Sequence, residues 1–185
     1  MLLKTSLSKS QKKLIRNSPS HIFPTHLFFS NFTLLKLPME IQLRELSTKE
    51  EMLARIDMMR HLYPTFTIEK YDTYLTEMIP HNYKQLAVFE GDVCLGITGF
   101  WQGYKLWSGK YIEIDNFVVH PDHRAKGIGK MMTDYIDAKA KATNCTMIVL
   151  DAFTGNFNAH RFYYNQGYVP KGFHFLKIIN EDGLS

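Results

Sequence analysis

Apolar residues recur along this chain at two spacings, every second position in some runs and every third or fourth in others, and the changes between them predict its elements. Ile41, Leu43 and Leu46 mark a first strand. Ser47 or Thr48 then caps a helix with Glu50 and Glu51 in its first turn and Met52, Ile56, Met59 and Leu62 as its buried stripe, ended by Pro64. A second helix runs from Ile68 to Met78 and stops before Pro80. Gln85 to Phe89 and Val93 to Trp101 form strands around a Glu90-Gly91-Asp92 hairpin, with another turn over residues 104–109. Residues 111–119 make a long strand. The helix that starts near Gly127 is predicted to bury Ile128, Met131, Tyr135, Ala138 and Ala142, with Lys130, Asp134, Asp137 and Lys141 mostly opposite. Residues 146–150 are a continuous apolar strand, 156–165 a helix, and 168–179 a final strand with Gly172 as a bulge or twist point. The resulting order is β-α-α-β-β-β-α-β-α-β, an α/β (α+β) class.

Length and charge narrow the organisation. With 185 residues, 45% of them hydrophobic, the chain can bury one sizeable core and suits one domain rather than two. Six of the 22 basic residues lie in residues 1–38, which hold no acid, so the rest carries 16 against all 18 acids and is near neutral. The basic pI therefore belongs to the first 38 residues and does not mark a nucleic-acid surface. That segment, rich in Ser and Lys and broken by Pro19, Pro24 and Pro38, has no apolar run of membrane-spanning length. It reads as a poorly structured extension, either a transit peptide or residues upstream of a true start at Met39, and Lys rather than Arg dominance favours the second. The predicted domain spans residues 39–180, with 181–185 as a tail. Cys94 and Cys145 both sit in strand-like apolar runs, which fits a reducing, cytoplasmic setting better than a disulfide framework.

The stretch Arg124-Ala125-Lys126-Gly127-Ile128-Gly129 joins a strand directly to a helix. A helix start leaves backbone N–H groups without partners and carries partial positive charge, so the junction is a cradle for an anion such as a pyrophosphate. A nucleotide P-loop is excluded, because Gly129-Lys130 is followed by Met131 instead of a hydroxyl residue. A dinucleotide fingerprint is weak, since Met132 stands where its third small residue belongs. His120 and His123 resemble a metal pair at first sight, but no acidic or Cys partner lies at ligand spacing, so no metal is assigned.

In context, the chain resembles the GNAT superfamily of acyl-coenzyme A-dependent N-acetyltransferases, whose signature is a strand ending in Val-x-Pro followed by Arg/Gln-x-x-Gly-x-Gly/Ala at a helix start. The chain has Phe117-Val118-Val119-His120-Pro121-Asp122-His123-Arg124 and continues into Gly127-Ile128-Gly129. A second family pattern, Asn-x-x-Ala-x-x-Phe/Leu-Tyr-x-x-x-Gly-Phe, is matched by Asn156, Ala159, Phe162, Tyr163 and Gly167, with Tyr168 in place of the last Phe. The resemblance implies one domain with a mixed six- to seven-stranded sheet and a splayed central strand pair holding the pantetheine arm of acetyl-CoA. It implies that the backbones of Phe117, Val118 and Val119 meet the pantetheine. It also implies that Arg124, Ala125, Lys126, Gly127, Ile128, Gly129 and Lys130 hold the pyrophosphate, and that Asn156, Ala159 and Phe162 line the cofactor side.

Amine acetylation needs a base for the amine, a donor for the oxyanion of the tetrahedral intermediate and an acid for the departing thiolate. The resemblance places Tyr163 as the acid and makes the Val119 N–H a candidate oxyanion donor. Glu113 and Asp115 share a strand face because side chains alternate; Asp115 aligns with the family's catalytic Glu but is one methylene shorter, so it calls for a water relay, and Glu113 is the runner-up. The acceptor is a small-molecule or peptide amine of unread identity, without nucleic acid or membrane partners. A homodimer rests on family analogy alone. The competing class is an acyl-CoA sensor that binds without turnover, and the retained Tyr163 and strand acids argue against it.

Overall fold

The computed structural model describes residues 40–181; the proposed extension over 1–38 and the end of the tail lie outside the described residues. The chain runs β1 (Ile41–Leu46), α1 (Lys49–Leu53), α2 (Ile56–Arg60), α3 (Ile68–Met78), β2 (Tyr83–Glu90), β3 (Val93–Lys105), β4 (Gly109–Val119), α4 (Ile128–Ala142), β5 (Met147–Leu150) and α5 (Phe157–Asn165). Thr48 caps α1 as a capping box: its side chain accepts from the Glu51 N–H while Glu51 reaches back to the Thr48 N–H. Thr67 caps α3 with its side chain alone, which accepts from the Lys70 N–H.

The strands form one sheet in the order β1-β2-β3-β4-β5, antiparallel except for the parallel β4–β5 pair. One face, called here the front, packs under α1, α2 and α3 with Met52, Met58, Met59, Tyr71 and Leu75 buried. The back face packs on α4 through Ile112, Ile114, Ile128, Met132 and Ile136.

Three expectations are corrected. The first helix breaks at Ala54–Arg55 into α1 and α2. The break turns the second piece so that Met58 and Met59 enter the core, whereas Leu62 is left 38% exposed. In α4 the buried stripe is Ile128, Met132, Ile136 and Ala140 with Thr133, while Ala138 and Ala142 face water and Tyr135 sits at the edge. The i, i+4 row through Ile136 packs in one cluster with Leu95, Phe100, Ile112 and Ile114, and Tyr135 turns its hydroxyl out to donate to Glu45 at 3.0 Å.

The third correction concerns the end of the chain: residues 168–180 hold no strand, so the sheet has five strands instead of six or seven and Gly172 marks no bulge. Pro170 lacks an N–H for a ladder, and Gly172 has no side chain to pack, so this apolar run is a poor strand despite its pattern.

Two features of β4 shape the site. Pairing with β5 covers only Tyr111 to Ile114, after which β5 ends at Leu150 and β4 continues to Val119 with no strand on that edge. A gap therefore opens along Asp115 to Val119. Within the same stretch the register against β3 slips by one residue, Gly99 pairing with Asp115 but Ile97 with Val118, and Asn116 takes the left-handed φ of 52°. This is a β-bulge, and Asn tolerates the left-handed conformation better than β-branched residues.

Candidate active site

The bulge reverses the alternation of side chains. Asp115 points to the front, where its carboxylate accepts from the Trp101 indole N–H at 3.3 Å. Asn116 also points to the front, accepting from the Tyr63 hydroxyl at 2.8 Å and donating to the Tyr83 hydroxyl at 3.4 Å. Phe117 then turns to the back, where its ring lies 5.6 Å from Phe162 and 6.0 Å from Tyr163. Val118 returns to the front core and Val119 to the back. Asn116 was not a candidate on sequence. The signal was a lone Asn, a residue depleted from strands, inside an otherwise strand-like run.

The Asn116 amide belongs to a longer polar chain under the front helices. Gln85, fully buried, donates to both the Tyr71 hydroxyl at 2.7 Å and the Tyr83 hydroxyl at 3.0 Å. Gly99 makes room for it: a Cβ there would lie 2.2 Å from the Tyr83 hydroxyl oxygen and 2.6 Å from its ring. Tyr83 is 3% exposed and has nowhere to retreat. Gly99→Ala is therefore expected to cost about 1–3 kcal/mol in overpacking, read as a lower urea midpoint. An unchanged midpoint would show that the Tyr83–Asn116 contact can move freely.

Backbone direction in the gap follows from one hydrogen bond. The His120 N–H donates to the Leu95 carbonyl at 2.9 Å, so in the alternating antiparallel pattern the Val119 N–H and C=O point away from β3. The Val119 oxygen is met there by the Arg124 Nε at 3.3 Å. Its N–H faces the gap.

Beyond β4 the chain passes through Ala125, with φ 59°, and Gly127, with φ 84°, which sits at the N-cap of α4. The left-handed turn at Gly127 explains that glycine by conformation, since a Cβ there would meet nothing within 4 Å. No side chain caps α4. The first helical bond runs from the Met131 N–H to the Gly127 carbonyl, so the N–H groups of Ile128, Gly129 and Lys130 point out of the helix start. Lys130 itself folds down onto Asp134 at 2.7 Å. Gly129 has a packing reason: its missing Cβ would lie 3.1 Å from the Phe162 ring, so α5 rests directly on the first turn of α4.

Helix α5 brings Phe162 and Tyr163 against Phe117 at the gap, with Asn156 and Ala159 in its first turn. The Asn156 side-chain oxygen accepts from the Ala159 N–H at 3.1 Å, so the residue first of all caps its own helix, leaving its amide NH2 for another partner. Tyr163 lies against the rings of Phe117, Phe162 and Tyr168. Burial pushes its phenol up to about 12, and that of Tyr71 likewise to about 12. Burial, and after it the Asp115 carboxylate, also raises Tyr63.

These shifts fix a sign. A free phenol titrates near pH 10, so above that value the unfolded chain releases protons that folded Tyr71 and Tyr163 retain, and stability falls between pH 10 and about 12. Thermal melts stepped upward from pH 9 should show a falling Tm past pH 10, shallower in Tyr163→Phe. A flat Tm to pH 11 would contradict the burial of these hydroxyls.

Glu113 lies on the front face with Asp115, as the alternation predicts, and its carboxylate is 3.7 Å from the Lys105 ammonium. The rings of His120 and His123 lie 5.6 Å apart, with His61 4.9 Å from His120. Among the described residues no group of three His, Cys, Asp or Glu side chains is placed to hold a metal, and no helix is long and apolar enough to cross a membrane. The gap thus has a carboxylate on its front side, a protonated phenol on its back side and an uncapped helix start at its end.

The chain is similar to known proteins in sequence and in fold. A family model described as the acetyltransferase (GNAT) family matches residues 51–168. A curated aminoalkylphosphonate N-acetyltransferase of Salmonella typhimurium is 28% identical over 101 residues, 54% of this chain and 65% of the relative, so the match spans just under two thirds of that protein. Glucosamine-6-phosphate N-acetyltransferase from Arabidopsis thaliana superposes with a TM-score of 0.62 at 19% identity, covering 76% of this chain and 99% of that one. An aminoglycoside N-acetyltransferase solved with CoA reaches 0.69 at 12% identity, covering 80% and 100%. At these identities the structural likeness shows the fold.

Proposed function

Since this chain belongs to the GNAT acetyltransferase family, we propose that it moves an acetyl group from acetyl-CoA to a primary amine by direct attack, without a metal and without a covalent enzyme intermediate. The observation that carries this reading is the gap along Asp115 to Val119, flanked by Asp115 on one face and Tyr163 on the other and ending at the uncapped start of α4. Its residues suit an acyl-CoA: the outward N–H groups of Ile128, Gly129 and Lys130, with the positive helix end, match a pyrophosphate. The free edge of β4 beyond Ile114 suits an extended pantetheine, as an added strand would pair.

Each residue then has a task. Asp115, held by the Trp101 indole, takes the proton of the incoming amine through a water. The Val119 N–H receives the charge that develops on the carbonyl oxygen. Tyr163, kept protonated by burial, gives its proton to the departing thiolate. Asn116, clamped by Tyr63 and Tyr83, holds the bulge that turns Phe117 to the back, against Tyr163, while Asp115 stays on the front. The relatives' names, aminoalkylphosphonate and aminoglycoside acetyltransferases, support a small-molecule amine as acceptor.

The test is release of free CoA thiol from acetyl-CoA with a broad amine panel. Turnover on one amine class supports the reading; tight acetyl-CoA binding with no turnover on any amine would instead make the protein an acyl-CoA sensor.

A further inference from the structure

We propose that the groove beside Asp115 takes the second ammonium group of a dicationic acceptor, so that the preferred substrate is an α,ω-diamine or longer polyamine acetylated at one end; this rests on the acetyl-transfer reading above. The groove, about 410 Å³ in volume, lies on the front face of the β3–β4 ladder and is lined by Trp101, Tyr104, Tyr111 and Glu113 among others. Trp101 links it to the reacting region, because its ring walls the groove while its N–H holds Asp115.

Glu113 and Asp115 lie two residues apart on one face, about 7 Å along the strand at the usual rise. Two carboxylates at that separation match two ammonium groups on one extended alkyl chain, with the aromatic walls covering the methylenes. The molecule itself shows what the far end accepts. The Lys105 ammonium lies 4.3 Å from the centroid of the Tyr111 ring and 3.7 Å from the Glu113 carboxylate, a cation between an aromatic face and an acid. Tyr111 can lie there because Gly103 opposite has no side chain; a Cβ would come within 3.2 Å of the ring.

The Lys105–Glu113 pair is about one third exposed on both sides, 37% and 34%, so it is weak and exchangeable. A ligand ammonium can replace Lys105 without leaving a buried charge unpaired. An acceptor with an anionic far end would instead meet the Glu113 carboxylate, and that repulsion supplies selectivity.

The experiment compares three amines of one chain length with the full chain and acetyl-CoA: 1,5-diaminopentane, n-pentylamine and 5-aminopentanoate, whose far ends are cationic, neutral and anionic. The expected kcat/KM is about tenfold higher for the diamine than for pentylamine, from one exposed ion pair plus one cation–π contact, and lowest for the amino acid. Glu113→Gln should bring the diamine-to-monoamine ratio to about one. Lys105→Gln should raise it, an opposite change that general loosening of the hairpin would not produce.

Equal kcat/KM for the diamine and pentylamine, or a ratio untouched by Glu113→Gln, overturns the inference while leaving acetyl transfer standing. If no amine is turned over, the acetyl-transfer reading falls, and calorimetry of 1,5-diaminopentane with the protein alone decides the groove. Heat that weakens in Glu113→Gln supports it, and no heat overturns it.

Discussion

Replacing Tyr163 with Phe is expected to lower kcat about a hundredfold while leaving acetyl-CoA affinity within about twofold, the lower end of what a positioned general acid contributes. The argument is geometric. The ring sits in a box of Phe117, Phe162 and Tyr168, which a Phe fills equally well, so packing and the cofactor side survive the change. What is lost is the hydroxyl, and burial holds its proton up to about 12, far above working pH, so it is present as an acid whenever the thiolate departs. Steady-state kinetics with acetyl-CoA, paired with calorimetric binding of CoA, separates the two effects. A kcat within threefold of the parent would remove Tyr163 from the chemistry, and a large loss of binding would recast it as a wall of the cofactor site.

Gly129→Glu is expected to raise the Kd for CoA about a hundredfold. Two effects act together. The new Cβ meets the Phe162 ring at 3.1 Å, which displaces α5 from the first turn of α4, and the new carboxylate stands at the helix end where the pyrophosphate is proposed to sit. A helix-terminus charge effect near 1 kcal/mol plus overpacking of about 1–3 kcal/mol gives roughly that factor. Gly129→Ala isolates the packing share, and a Gly129→Gln control carries the bulk without the charge. Unchanged CoA affinity in Gly129→Glu, in a protein that still melts cooperatively, would move the pyrophosphate elsewhere.

Legibility in the sequence varied with how local each feature was. The junction before α4 was readable because it is six consecutive residues between a strand and a helix, and Gly127 meets the left-handed requirement of that turn within the same stretch. The Thr48 cap was readable for the same reason, donor and acceptor being three residues apart. Gly129 also has a packing partner in the ring of Phe162, 33 positions along the chain, which no local pattern discloses. The stripe of α4 was misplaced because Met131 and Tyr135 fit the helical period as well as Met132 and Ile136; only the packing against β3 and β4 separates them. Residues 168–179 alternated like a strand but pair with none, because strand formation needs a ladder partner as well as a pattern.

The family and most of the element order from β1 to α5 were legible in the sequence, and the proposed cradle, acid and phenol rest on its motifs, since each depends on residues close together in the chain. Tertiary structure decided on which side of the sheet those groups stand. Side-chain parity along β4 is inverted at Asn116, the gap exists because β5 stops at Leu150, and Lys105 meets Glu113 only across the β3–β4 hairpin. Those outcomes depend on pairings between residues far apart in the chain, and one extra residue in a strand turns every side chain after it to the opposite face.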